Sequence, residues 1–209
     1  MTDYMTEQEQ IQQLKDWVKQ YGMTILLSLV VAAALSIGWH AWSNHEKRVA
    51  VRAAIIYDNM LNQKSQQNAD ALPFAQQLIT HYSHTPYADM AAFLIARDAI
   101  LKKDFGAAVQ QFDWVIHHSK TASIREIARI REARALIEDN KAEMAINVLN
   151  KVNDDTFIGL VDEIRGDAYL AMKKPLDAKT AYQRALKEFP RVDVTRPVLV
   201  MKLANVETP

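Results

Sequence analysis

A long uninterrupted apolar stretch dominates the hydrophobic pattern near the start of the chain. No residue between Lys19 and Glu46 carries a formal charge, and residues 23–42 are largely apolar. A helix of about 20 residues is about 30 Å long, which matches the hydrocarbon core of a bilayer. The pattern therefore predicts a single membrane span over residues 23–43.

Aromatic side chains flank this stretch on both sides. Trp17 and Tyr21 precede it, and Trp39 and Trp42 lie at its end. Such rings favour the interface between lipid and water, because one end is apolar and the other is polar. We expect these four residues to be membrane-interface anchors.

The short segment before the span, residues 1–22, favours an anchor that remains in the protein over a cleaved secretory signal. It contains four acidic residues and two lysines, whereas a signal peptide begins with a short positive region. A small-x-small cleavage motif at residues 34–36 keeps the alternative open. Residues 1–22 also show the apolar spacing of an amphipathic helix, which predicts a short amphipathic segment that lies on the membrane surface or, alternatively, binds a regulator.

The charges around the span favour one orientation, but only weakly. Lys47, Arg48 and Arg52 follow the span more closely than Lys15 and Lys19 precede it. By the positive-inside rule, this bias would leave the C-terminal part in the cytoplasm. The rule weakens when a long domain is translocated, so charge by itself does not determine the topology.

Helical periodicity continues after the span and then repeats at a nearly fixed interval. Residues 44–70 read as an amphipathic helix followed by a polar linker. Beyond them, alanines with similar apolar neighbours recur at spacings of 33, 37 and 33 residues, at Ala75, Ala108, Ala145 and Ala178. Such periods are typical of helix-turn-helix repeats. The sequence thus predicts an all-α chain, in which a single N-terminal transmembrane helix precedes a tetratricopeptide-like helical repeat superhelix over residues 71–209.

The clearest repeat covers residues 159–192, and a short capping helix is expected over residues 194–206. Asp162 and Arg165 depart from the repeat pattern, because large apolar residues are usual at these positions. The matching positions are Gly166, Tyr169, Ala178, Tyr182, Ala185 and Pro190.

The composition of the chain mainly excludes kinds of site and function. The chain has 25 basic and 25 acidic residues, so no broad positive surface for nucleic acid is expected. It has no cysteine, which excludes disulfides, thiolate zinc sites and cysteine nucleophiles. The histidine pairs at 81 and 84 and at 117 and 118 lack further ligands at suitable spacing. We expect no cofactor, no metal and no catalytic residues, and therefore no enzyme.

A repeat superhelix acts instead through a concave face, which is lined by the first helix of each unit. Two successive units repeat the order apolar, apolar, arginine, and this face is the candidate groove for a partner or peptide. An apolar peptide would lie along it, with the arginines pairing with carbonyl or carboxylate oxygens. Alternatively, the apolar positions are buried against the helix within residues 44–70 or against a second copy. The candidate groove residues are Met90, Phe93, Arg97, Ile127, Ile130 and Arg134, and Ile100 and Ile137 extend the pattern.

Taken together, these parts resemble the YfgM family, the ancillary subunits of the bacterial SecYEG translocon. The resemblance covers essentially the whole length. It is most specific at residues 37–45, at Ala53-Ala54 with Tyr57, and at residues 164–168.

The resemblance implies a single-pass protein of the bacterial inner membrane, with its N-terminus in the cytoplasm and its repeats in the periplasm. The implied partners are the SecYEG translocon, a PpiD-type periplasmic chaperone and exported unfolded chains. The implied function is to help newly exported chains reach periplasmic chaperones. This topology runs against the charge bias after the span.

A second hypothesis keeps the architecture but changes the function. The protein would be a membrane-anchored repeat scaffold or regulator for a dedicated signalling or envelope-maintenance partner. It would then co-purify with one abundant partner and would not bind unfolded chains.

Overall fold

A computed structural model describes residues 7–65, 71–189 and 196–207, and every regular element in these ranges is helical. The predicted all-α fold is confirmed. A short 3-10 turn, Asp155–Phe157, precedes α7. The helices are α1 (Glu7–Ser65), α2 (Leu72–His81), α3 (Pro86–Leu101), α4 (Phe105–His118), α5 (Ala122–Glu138), α6 (Ala142–Leu149), α7 (Ile158–Ala171), α8 (Pro175–Glu188) and α9 (Arg196–Glu207).

The chain divides into two compact units, Met1–Val51 and Arg52–Pro209. In its described part, the first unit is α1 as far as Val51. Between Trp17 and Ser65, α1 is long and apolar enough to cross a membrane. The most apolar part of this helix is not buried against the rest of the described chain. The predicted boundaries at residues 22, 43 and 70 remain predictions.

The second unit consists of helix pairs whose cores form at the predicted repeat positions. The four recurring alanines are all buried, with at most 1% of their surface exposed. Ala145, for example, packs with Leu136 and Leu149 in one cluster of the core. Alanine suits these positions because its small side chain lets two helices approach closely. The periodicity in the sequence therefore located the core correctly.

The end of α1 supplies the first helix of the degenerate first repeat. Ala53 and Met60 are fully buried and pack with Ala75 and Leu78 of α2. The helix that was predicted before the linker therefore continues to Ser65, and residues 66–70 lie outside the described residues.

Three repeats share the same turn between their first and second helices. Lys103, Asn140 and Lys173 have φ angles of 60°, 59° and 58°, which lie in the left-handed region. In each turn, the residue after the left-handed one donates its amide N–H to the carbonyl oxygen five residues before it, over 2.8 to 2.9 Å. This hydrogen bond and the left-handed residue are the signature of a Schellman helix end, where glycine is usual.

We expect Lys173→Gly to stabilise the protein by about 1 kcal/mol, because glycine adopts this backbone conformation without a steric penalty. Urea unfolding of the full chain in detergent, followed by circular dichroism, measures the gain. Asn140→Gly is the matched variant and should gain less, because asparagine tolerates the left-handed region. A loss of stability in Lys173→Gly would contradict this explanation of the turn.

The two departures from the repeat pattern form an ion-pair network in the last repeat, α7 and α8. The buried Asp162 accepts hydrogen bonds from Arg165 Nη1 over 2.9 Å and from Arg184 Nη2 over 3.2 Å. Arg165 Nη2 also donates to Asn150 Oδ1 over 3.1 Å. Polar contacts thus link α7 to α8 and to the end of α6, where an apolar contact was expected.

The capping helix is present as α9, from Arg196 to Glu207, and the predicted residues 194–195 lie outside the described residues. Its Leu199 is fully buried in a cluster with Ala178, Tyr182 and Ala185 of α8. The predicted cap on the last repeat is confirmed, and Leu203 and Val206 of α9 pack against the same cluster.

Candidate functional site

An open groove of about 240 Å³ lies where α3, α4 and α5 meet. α3 and α5 are the first helices of two successive repeats, so the groove is on the side predicted to be concave. Its lining is Phe93, Arg97 and Ile100 from α3, Phe112 from α4, and Arg131 and Arg134 from α5.

Aromatic and aliphatic side chains form the apolar part of the groove. The ring centroids of Phe93 and Phe112 are 6.0 Å apart, a normal distance for a tilted aromatic pair. Phe112 is 2% exposed and belongs to the core, whereas Ile100 is 38% exposed. The groove thus has a fixed aromatic floor and an accessible aliphatic wall.

Three guanidinium groups give the groove a positive charge. Arg131 Cζ lies 4.8 Å from the Phe93 ring centroid, within the range of a cation–π contact. Arg97 has an acidic neighbour, Asp98, at 4.0 Å, and Asp98 also pairs with Lys64. Among the described residues, no carboxylate lines this groove.

The structure brings together three of the six predicted groove residues, Phe93, Arg97 and Arg134. Met90 is exposed on α3 and Ile127 is half-buried on α5, but neither lines this groove.

Ile130 was predicted to line the groove, but it lies in the core. It is 3% exposed and packs in the core with Val161 and Ile164, so it offers no surface to a partner. An aspartate at position 130 would consequently test folding and not binding.

Sequence reasoning missed Arg131 and Phe112 as groove residues. Arg131 is three residues before Arg134, and side chains at this spacing lie on the same face of a helix. This spacing was visible in the sequence and would have predicted that Arg131 also lines the groove. Phe112 follows the recurring Ala108 by one helical turn, as a core position of its repeat does, and only the packing of α4 against α3 brings its ring to the groove.

On the corresponding face of the last repeat, the acidic side chains of α7 are contacted by Lys202 of α9. Lys202 Nζ donates to Glu163 Oε1 and Asp167 Oδ2, each over 2.7 Å. Tyr182 Oη donates to the other Asp167 oxygen over 2.7 Å. These carboxylates are therefore bound within the chain, while the arginine groove of the first two recognisable repeats stays open.

The histidine pair at 117 and 118 has structural contacts on α4. His117 Nδ1 makes a hydrogen bond with the Asp113 carbonyl oxygen over 2.8 Å. The His118 ring stacks on Trp114 with centroids 4.5 Å apart. Among the residues that the structure describes, no cluster of histidine and acidic side chains has the arrangement of a metal site.

The four aromatic residues of the predicted membrane interface lie on α1 with exposed side chains. The rings of Trp17 and Tyr21 are 5.9 Å apart, and those of Trp39 and Trp42 are 5.5 Å apart. Tyr21 and Trp39 are separated by about 27 Å of helix, close to the thickness of a hydrocarbon core. The spacing suits two interfaces of one bilayer, and the anchoring role stays a prediction.

Comparison with known proteins agrees with this architecture. A family model described as a tetratricopeptide repeat-like domain matches residues 15–208, which include both the apolar helix and the repeats. The chain belongs to this family. No solved structure matches it.

Three curated relatives carry the same name, ancillary SecYEG translocon subunit. The protein from Haemophilus influenzae is 26% identical over 96% of this chain and 97% of its own length. The protein from Escherichia coli is 22% identical over 99% of both chains. The protein from Neisseria gonorrhoeae is 25% identical over 99% of this chain and all of its own. The predicted resemblance to the YfgM family is confirmed.

Proposed function

We propose that this protein is a non-enzymatic accessory subunit of the Sec translocon, anchored in the inner membrane by α1. The observation that carries the proposal is the match to relatives with this name over almost the entire chain. The similarity therefore includes the apolar helix and the repeats together, and not a common repeat fold alone.

The two units suit the two parts of such a function. α1 has the length and apolar character of a membrane anchor. The repeats offer an open groove with apolar and cationic walls, and repeat proteins of this kind act by binding other proteins on such faces. In our proposal, the anchor keeps the groove close to the export channel.

The proposal includes the orientation and the further partners. The N-terminus lies in the cytoplasm and the repeats lie in the periplasm, where they bind a PpiD-type chaperone and newly exported unfolded chains. The charge bias after α1 does not oppose this orientation, because domains as long as Arg52–Pro209 are translocated largely regardless of flanking charge. In this proposal, the repeat unit passes exported chains to periplasmic chaperones.

We expect the tagged full chain to capture SecYEG from bacterial membranes that are dissolved in a mild detergent. Quantitative mass spectrometry of the captured proteins measures the enrichment. In the same strain, alkaline phosphatase fused after residue 209 should be active, because this reporter works only outside the cytoplasm.

The control for capture is an unrelated single-span protein with a periplasmic domain, expressed at the same level. A second control replaces residues 1–51 by the span of that protein and tests whether α1 contributes to capture. Equal amounts of SecYEG with the full chain and with the unrelated protein would refute the translocon association. An inactive phosphatase fusion would refute the orientation.

A further inference from the structure

The arginine groove between α3 and α5 is apolar and positively charged at once. Phe93 and Ile100 supply the apolar surface above the buried Phe112, and three arginines line the same groove. Guanidinium groups lining the same groove repel one another, and that repulsion is relieved when an anion binds between them. The groove is therefore matched to a ligand with both an apolar group and negative charge.

The charge pattern of the rest of the unit strengthens this argument. The cations Arg165, Arg184 and Lys202 pair with acidic side chains of α7. Among the described residues, the three groove arginines form one ion pair, in which Arg97 Nε lies 4.0 Å from Asp98 Oδ1. Asp98 is itself shared with Lys64, so this contact neutralises Arg97 weakly.

The positive charge recurs at the same position in two successive repeats along this face. Arg97 and Arg134 occupy equivalent positions of two successive repeats, 37 residues apart. Arg131 lies one turn before Arg134 and rests on the Phe93 ring, so its position is set by a cation–π contact. A segment lying across the two repeats would meet a guanidinium group from each of them.

The size of the groove favours a segment of a protein over a small molecule. Its volume, about 240 Å³, is below the roughly 300 to 1,000 Å³ of typical small-molecule sites. The site is also open to solvent along its length. Such a shape suits one large side chain that projects from a longer chain, with the flanking residues lying over the rim.

We infer that this groove binds an acidic protein segment, in which one large aromatic or aliphatic side chain is flanked by aspartate or glutamate residues. The apolar side chain lies over Phe93 and Ile100, and the carboxylates accept hydrogen bonds from Arg97, Arg131 and Arg134. Charge-assisted bonds from arginine to carboxylate are among the strongest in proteins. The inference rests on the proposed function, because it identifies the chemistry of the segments that the repeats bind.

The test measures the fluorescence anisotropy of short labelled peptides with the full chain in nanodiscs of zwitterionic lipid. One peptide has a central phenylalanine between glutamates, a second has glutamines in place of the glutamates, and a third has lysines. A fourth keeps the glutamates but replaces phenylalanine by alanine. We expect the first to bind about tenfold or more tightly than each of the others. Its binding should also weaken as the ionic strength rises.

Two variants assign this preference to the groove. Arg97→Gln combined with Arg134→Gln should abolish the preference for glutamate over glutamine, and Ile100→Ser should reduce the preference for phenylalanine over alanine. These side chains are exposed, so the fold should be preserved and circular dichroism verifies it. Arg52→Gln is the matched control, since Arg52 is an exposed arginine that does not line the groove.

Equal binding of the glutamate and glutamine peptides, or no binding of either, would overturn the inference. A preference that survives in the double arginine variant would overturn it as well. Displacement of the peptide by phosphatidylglycerol vesicles would assign the groove to an anionic membrane surface instead. Capture of SecYEG is measured separately, so the peptide result can fail while the proposed translocon association stands.

Discussion

Gly166→Ala is expected to destabilise the repeat unit by about 3 kcal/mol, the largest effect we predict for a single added methyl group. A Cβ atom at position 166 would overlap the ring of Tyr182. This ring cannot move aside, because it is fully buried and its hydroxyl is bound to Asp167. Urea unfolding of the full chain in detergent, followed by circular dichroism, measures the loss.

Two controls separate this steric overlap from the general effect of replacing glycine. At Gly106, an added Cβ meets only Asp104 Oδ1 at 3.8 Å, so Gly106→Ala should stabilise the helix by about 0.5 kcal/mol. Tyr182→Ala removes the ring itself. If the overlap is the cause, adding Gly166→Ala to Tyr182→Ala should change stability little. A full additive loss in the double variant would show that the ring is not responsible.

Glu132→Gln is expected to raise the free energy of unfolding by about 2 kcal/mol at pH 8 and to leave it nearly unchanged at pH 4.5. Burial raises the pKa of Glu132 from 4.5 to about 7, and the Asp113 carboxylate contributes in the same direction. Three neighbouring side chains oppose the shift, namely Lys151, His117 and Arg129. The full shift in pKa corresponds to about 3 kcal/mol, and we expect about 2 kcal/mol because burying the glutamine amide also has a desolvation cost.

The direction of the pH dependence follows from proton binding. The folded protein keeps the proton on Glu132 up to about pH 7, whereas the unfolded chain releases it near 4.5. Between these values the folded state binds more protons, so the free energy of unfolding falls as the pH rises. A glutamine carries no charge at any pH and removes this loss.

Unfolding curves for the native protein and Glu132→Gln between pH 4.5 and 8 measure the effect. Glu138→Gln, at an exposed position of the same helix, is the control and should follow the native protein. A Glu132→Gln variant that is less stable than the native protein at pH 8 would mean that the ionised carboxylate stabilises the fold.

The main features of the fold were predictable from the sequence because they depend on local properties. The apolar stretch after Lys19 is long enough to span a bilayer whatever surrounds it. The spacing of Ala75, Ala108, Ala145 and Ala178 marks positions where helices must approach closely, and all four are buried. The turns between paired helices fall on short polar stretches, at 102–104, 138–141 and 173–174. The left-handed conformation of Lys103 and Lys173 could not be predicted, because lysine gives no signal for it.

The candidate groove was predictable only in part. Phe93 and Ile130 are 37 residues apart and were expected to be equivalent, yet Phe93 lines the groove and Ile130 lies in the core. The difference arises because α6 and α7 enclose the position of Ile130, whereas the corresponding side of α3 is left open beside α5. Sequence spacing places both residues on a helix face but does not say which neighbour covers that face.

The sequence by itself determined the order of apolar helix and repeats, the repeat period and the absence of cysteine chemistry. Helix length, periodicity and composition are properties of the chain that do not depend on which helices meet. Only the tertiary structure decided that Arg97, Arg131 and Arg134 share one groove while Lys202 is bound to Glu163 and Asp167. Charge balance at a surface depends on contacts between helices distant in sequence, and those contacts exist only after the repeats have packed.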